Sequence, residues 1–402
     1  MRSFQYLKLN KELLLIASFI PLLGLLYIFS DLMLPGHPFF LTKYMHLAYI
    51  KSAQDFPVLQ PPPFTWRLLE PFLVNILPFQ QKTSFILINF FSLFFTTVLI
   101  LKIIHFISKD LDYSYLGSLL FLSIVWAARF NIIEFWYPES LLYFFMLLSI
   151  FFIYKQKKIL LSISFLLGVL TKETMLIILP LYYFINIKED LFKKINYRLL
   201  AENIIISLPA IITFSVLSFI ISQTSFYSHS QEWFDKVFVH RLATLVGIKS
   251  SLQHNLIDNQ PWVLTFAINW YRLVLGAFGG FFLIIFLRPK KFNEVFWAYS
   301  PLILFSYLQL FIAYDIERLI VISFFPIILA TVQVIKELVS EGIKYIYFFI
   351  YVILFYFIQL LFANDFYLET FYAIFAQNIL SITFLILIIL ISKRRRPITH
   401  KI

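Results

Sequence analysis

Twelve apolar runs of 13 to 25 residues, separated by charged or Pro-containing breaks, follow one another along this chain of 402 residues. They lie at about 12–30, 84–107, 115–130, 139–154, 159–171, 174–187, 200–222, 263–287, 295–313, 319–335, 343–362 and 372–391. A helix needs roughly 20 apolar residues to cross a hydrocarbon layer of ~30 Å, and inside that layer every backbone polar group must be satisfied within the fold. The expectation is an all-α polytopic membrane protein with about twelve transmembrane helices, a single membrane domain over 1–402. Only 14% of the residues are charged, and no segment is large and polar enough to fold in water alone. That excludes a cytosolic nucleotide-binding domain from this chain. The first run ends in Ser30-Asp31-Leu32-Met33-Leu34-Pro35 with no small-residue cleavage site, so it is read as a retained span.

Lys and Arg collect in cytoplasmic loops and so set the orientation. With both termini cytoplasmic and twelve crossings, 22 of the 33 basic residues lie inside. One stretch decides the count: "LLGVLTKETMLIILP", residues 166–180, with Lys172 and Glu173 in the middle of apolar sequence. Reading 159–187 as a single span inverts everything downstream and leaves 13 basic residues inside against 19 outside. Two crossings are therefore expected, with Lys172 and Glu173 at the tip of an outward hairpin. Its arms are too short for a full bilayer at about 1.5 Å per residue, so the tip should sit sunk within protein.

The net charge of +11 divides by side, the inner segments carrying +13 and the outer −2. Such basicity fits contact with anionic membrane lipids, as at "KRRRPITHK", and gives no reason to expect nucleic acid. Cysteine is absent, so thiolate chemistry is excluded. The composition, rich in Phe, Ile and Lys, suits the inner membrane of an AT-rich prokaryote.

Two outer segments are long. Residues 31–83 and 223–262 alternate apolar and polar positions in the manner of helices lying in the interface. His229, His240 and His254 lack any tight metal-ligand spacing and read as loop histidines.

The outer side holds most of the polarity capable of chemistry. Asp31 closes the first span, either as a boundary and turn cap or as a carboxylate whose basicity is raised by partial desolvation. Arg67 follows a stiff triple proline in "PPPFTWRLLEPFL"; it either snorkels to the interface or forks onto a phosphate, with Glu70 placed to hold its guanidinium. Glu139 opens the fourth span, where the helix dipole alone can account for it, and Trp136 and Tyr137 before it offer an aromatic wall. "YDIERLIVISFFP" places Asp315, Glu317 and Arg318 in a tight outer connection, with Arg318 a second candidate phosphate ligand. Glu173 reads as the partner that makes burial of Lys172 tolerable.

Read in order, Asp31, "FTWRLLEPFL", "GVLTKETMLIILPL" and "DIERLIVISFFPI" resemble the GT-C superfamily of integral-membrane glycosyltransferases, which take sugars from polyprenyl phosphate carriers. The resemblance implies a catalytic aspartate at Asp31 and a hairpin lining the lipid-phosphate cavity, with Lys172 on the donor phosphate. It implies as partners a polyprenyl-phosphate-linked sugar donor and a glycan, lipid or protein acceptor. Where many members pair acidic residues in the first loop, this chain has His37 and Asp55, which leaves a divalent metal ion open. Two other readings stay on the table: an O-antigen-type polymerase, which would depend on Arg241, and a transporter or flippase of lipid-linked sugars.

Overall fold

The structure is a computed structural model that describes residues 2–32, 43–57, 67–187, 195–223, 271, 275–309, 318, 320–361 and 366–395. Among them every regular element is helical and none is a strand.

The first long apolar run becomes α1 (Arg2–Leu32). Two short helices follow within the first long segment, α2 (Lys43–Gln54) and α3 (Leu69–Ile76). Next come α4 (Gln81–Ser108), α5 (Leu111–Ser123), a π turn at Val125–Arg129, α6 (Phe130–Ile133) and α7 (Glu139–Tyr154). Then α8 (Lys158–Thr171) leads through a 3₁₀ turn at Glu173–Ile178 into α9 (Leu181–Ile187) and α10 (Tyr197–Ser222). A second 3₁₀ stretch, Phe281–Leu287, precedes α11 (Pro289–Ala298), α12 (Ser300–Leu308), α13 (Phe324–Ser340), α14 (Tyr345–Leu361) and α15 (Phe366–Arg395). α4 packs against α5 and α7, α7 against α8, and α8 against α10.

Five helical segments among the described residues are long and apolar enough to cross a membrane: 10–30, 81–108, 197–222, 321–340 and 372–392. A sixth arises if α5 and the helical piece after it count as one span, bent by 66°. Shorter apolar helices occupy 139–154, 158–171, 173–187 and 345–361. The apolar runs therefore coincide with helices where residues are described, but several that read as single spans are interrupted, and the long apolar helices number five or six rather than an established twelve. The run at 295–313 splits at Tyr299, where Pro301 starts a new helix. The run at 115–130 breaks at Ile124, which is extended (φ −77°, ψ 112°).

A break inside an apolar bundle strands carbonyl groups, and these must find donors elsewhere. The α5 carbonyls of Leu122 and Ser123 receive the side-chain amides of Gln359 (2.6 Å) and Gln377 (3.1 Å). The same Gln377 amide also donates to Phe355 O at 2.9 Å, tying α15 to α14. Gly279 and Gly280 pass in the left-handed region at φ +70° and +83°, close against α15; a Cβ at Gly280 would lie 2.3 Å from Asn378 Oδ1.

The bundle has two polar ends of opposite character. At one, exposed ion pairs staple helices together: Lys11 to Asp112 at 2.7 Å with both side chains 53% exposed, Lys158 to Glu202 at 2.8 Å, and Arg288 to Glu337 at 3.2 Å and to Glu341. Lys336 and Tyr345 add hydrogen bonds to the carbonyls of Ser108 and Asp112. Such exposed pairs contribute little each. At the other end a cluster of charges is buried.

The Lys172 stretch is a hairpin. Gln156, just before α8, donates to Asn186, near the end of α9, at 2.9 Å. Lys158 at the start of α8 and Tyr182 at the start of α9 both bond the Glu202 carboxylate. The chain thus climbs from this end to Lys172 and returns to it. We expect Gln156→Cys and Asn186→Cys together, in a chain without other thiols, to be joined by a short bifunctional thiol reagent and seen as a fast-migrating band after cleavage-site mapping. A straight-through span would place the two thiols beyond any short linker.

Candidate functional site

Six charged residues that the sequence scatters over 250 positions meet at the buried end. Glu139, on the first turn of α7, is fully buried and receives Lys172 Nζ at 2.6 Å. The same Oε1 forms an ion pair with Arg318 Nε at 3.3 Å. Arg67 grips Glu173 with a two-point fork, Nη2 to Oε1 at 3.0 Å and Nε to Oε2 at 3.3 Å. Its remaining amine donates to the Tyr49 hydroxyl of α2. Lys172 is 2% exposed and Arg67 6%. Arg67 therefore does not snorkel to the surface.

Local structure explains who pairs with whom. Lys172 lies between the two arms with extended backbone (φ −160°, ψ 138°). Successive side chains on extended backbone point to opposite sides, so Lys172 and Glu173 cannot pair with each other. This corrects the expectation that Glu173 is the counter-ion of Lys172: Lys172 turns to α7, Glu173 to Arg67. Arg67 stands ahead of α3, outside helical geometry, so the one-turn spacing that would let Glu70 hold its guanidinium does not apply, and Glu173 takes that role instead. The Leu68 amide donates to Leu170 O at 2.8 Å, fastening the arginine segment to the top of α8.

A shell of polar and aromatic groups fixes these side chains. Asn89 on α4 donates to Asn131 O at 2.8 Å and to Ser140 Oγ at 3.1 Å, and accepts from Tyr27 of α1 at 2.6 Å. That holds the start of α7, and with it Glu139, against α1 and α4. Arg318 lies over the Tyr137 ring (4.6 Å to the centroid) and near that of Phe130 (5.7 Å). The aromatic wall foreseen at Tyr137 thus faces a guanidinium, an arrangement whose attraction grows with desolvation. Arg129 and Glu134 are also buried between α5 and α7.

Glu70 is the unusual member. It is fully buried on α3, outside the apolar spans, and neither carboxyl oxygen has a hydrogen-bond partner. Burial, and next the charge on Glu139, push its carboxyl well above the usual range, against the pull of Arg67 and Lys172. Glu139 Oε2 also lacks a hydrogen-bond partner.

Of the remaining sequence candidates, Asp31 falls in the last turn of α1, its side chain outside the described set. Asp55 follows α2, half-buried. His37, Arg241, Asp315 and Glu317 lie outside the described residues. Tyr49 and Asn89 are the members that sequence reasoning missed; nothing in their local sequence distinguishes them.

Three cations interleaved with carboxylates make an environment for an oxyanion: fixed donors, one a rigid fork, with bulk water largely excluded. The same cations make it a poor divalent-metal site, and among the described residues no group of three or more His, Asp or Glu side chains is arranged to hold a metal ion. Comparison of the chain with protein-family models, curated proteins and solved structures gives no match.

Proposed function

We propose that this chain is a GT-C-like glycosyltransferase of about twelve spans, with the buried charged end facing outward. It transfers a sugar from a polyprenyl phosphate carrier to an acceptor at the outer face. The observation that carries the reading is the convergence of Lys172, Arg67 and Arg318 on two carboxylates, the buried Glu139 and the half-buried Glu173, at the tip of a re-entrant hairpin. A site for a leaving lipid phosphate needs several fixed cations beneath the surface, reachable from lipid.

In this reading Asp31 takes the proton of the acceptor hydroxyl, whose oxygen attacks the anomeric carbon. The carbon–oxygen bond to the phosphate breaks with inversion. Arg67, Lys172 and Arg318 hold the phosphate oxygens as charge accumulates on them, in surroundings where such charge–charge attraction is far stronger than in water. Asp315, Glu317, His37, Asp55 and Arg241 are further outer-face candidates.

One observation favours a second reading. A kinked α5 and a re-entrant hairpin are broken-helix features of the kind that build transporter sites. Reconstitution with a polyprenyl-phosphate sugar separates the two. Transfer should occur with the wild type and drop at least ~10²-fold in Asp31→Asn. Undiminished transfer by Asp31→Asn removes Asp31 as the base, and dependence on Arg241 alone points to the polymerase. Donor translocation without any transfer product establishes the transporter.

A further inference from the structure

Every other charge whose partners are described at this end is tied to an opposite charge, but the buried Glu70 is not. Glu139 is held by Lys172 and Arg318, and Glu173 by Arg67. Glu70 sits three residues from Arg67, within electrostatic reach of Arg67, Lys172 and Glu139, yet neither nearby cation turns to it and both its oxygens stand bare. An ionised carboxylate left so in a buried site would carry a large desolvation penalty, and two cations able to relieve it are close by and engaged elsewhere. A neutral carboxylic acid has no such need. It differs from its neighbours in one chemical respect: it owns a hydroxyl to give.

We infer that Glu70 serves the anion site as a neutral acid, donating its carboxyl proton in a hydrogen bond to a phosphate oxygen held by Arg67 and Lys172. The inference deepens the proposed function and rests on the anion-binding half of it. The ligand class is a phosphate monoester, such as the carrier left after transfer. An anion held only by cations must share them with Glu139 and Glu173. An acid beside them supplies a donor that no carboxylate in the site competes for as a counter-ion. In the transfer itself the acceptor hydroxyl proton passes to Asp31, the new oxygen–carbon bond forms and the bond from the anomeric carbon to the phosphate oxygen breaks, leaving the electron pair on a phosphate to which Glu70 donates a hydrogen bond while keeping its proton. Exchange with solvent then removes the proton from Asp31.

The groups that face Glu70 and set its protonation are Tyr49 from α2, Arg67 ahead of α3, Glu139 from α7 and Lys172 at the hairpin tip. Of these Glu139 opposes ionisation of Glu70, and Arg67 and Lys172 favour it. An anion bound between the cations screens their pull and holds the proton on Glu70 more firmly.

The test uses the full chain in nanodiscs with two probes, a short-chain prenyl phosphate and inorganic phosphate, the second showing whether the lipid chain is needed. Infrared difference spectra of the wild type should contain a protonated-carboxyl band at neutral pH that shifts on addition of prenyl phosphate and is missing in Glu70→Gln. Affinity of the wild type should fall about tenfold per pH unit above the pH at which that band disappears. Glu70→Gln, a permanent neutral donor, should keep its affinity there, the ligand's own titration being common to both proteins. Superimposable pH profiles for the two proteins, or a wild-type spectrum without a ligand-sensitive protonated carboxyl, would overturn the inference. Because the wild-type spectrum needs no variant, poor folding of Glu70→Gln does not remove the test. Both readouts report binding and protonation, so a failure to transfer sugar would sink the glycosyltransferase reading and leave this one standing.

Discussion

Replacing Glu139 with glutamine should destabilise the protein by about 3–5 kcal/mol, read as a lower thermal midpoint in detergent or nanodiscs. Among the described residues Glu139 is the carboxylate that meets both Lys172, at 2.6 Å, and Arg318, at 3.3 Å, and all three side chains are largely or wholly buried. Glutamine keeps the shape and one acceptor but removes the charge, so the buried Lys172 ammonium loses the carboxylate it pairs with. The cost arises from the uncompensated Lys172 that remains rather than from the attraction that is removed. Deleting a cation as well should therefore restore most of the stability: Glu139→Gln with Lys172→Met leaves Arg318 on its aromatic wall and replaces a buried ion pair with amide and thioether. Such compensation is a coupling that two independent defects would not show. Substitutions at the opposite end supply the contrast. Lys11→Met breaks an ion pair of nearly equal length but 53% exposed on both sides, and should change stability by no more than ~1 kcal/mol. A Glu139→Gln protein as stable as the wild type would mean that the carboxylate is not the counter-ion the geometry makes it.

How much of this could be read from residues alone depended on the physical range of each signal. The hairpin at Lys172 and Glu173 was legible because a charge in apolar sequence and a one-sided count of basic residues are both local or additive quantities. Its pairing was not. Whether Lys172 meets Glu173 or Glu139 turns on one residue's extended backbone between two helix arms, and no spacing rule reports that. Arg67 drew notice through the prolines before it, but its carboxylate is 106 positions away. Glu139 looked fully explained by its place in a helix's first turn, an explanation that is true and still omits its two cations. The kink at Ile124 had no sequence mark, neither proline nor glycine. It persists because Gln359 and Gln377, more than 230 residues downstream, cap the carbonyls it frees. Helices announce themselves through the length and composition of apolar runs; the site is made of contacts between them.

The double variant also decides whether the buried charges are a staple or a binding site. If they only hold α7, the hairpin and the Arg318 segment together, then Glu139→Gln with Lys172→Met should regain stability and transfer together. If Lys172 meets the donor phosphate, stability should return while transfer stays down by roughly 10²–10³-fold, the usual cost of removing one preorganised donor from a developing anion. Arg67→Lys probes the same question without changing charge. Lysine cannot reproduce the fork to Glu173 or reach Tyr49 from the same position, so the cation survives but its aim does not. The expected outcome is a fall in kcat of at least ~10-fold with KM for the lipid donor changed much less, since the misdirected charge still attracts the ground-state phosphate but no longer tracks the charge that builds as the bond breaks. A fall in thermal midpoint matched by unchanged kcat would assign Arg67 to structure alone. Full transfer by the stability-restored Glu139→Gln, Lys172→Met protein would remove Lys172 from the chemistry, and with it the reason for placing the lipid phosphate at the hairpin tip.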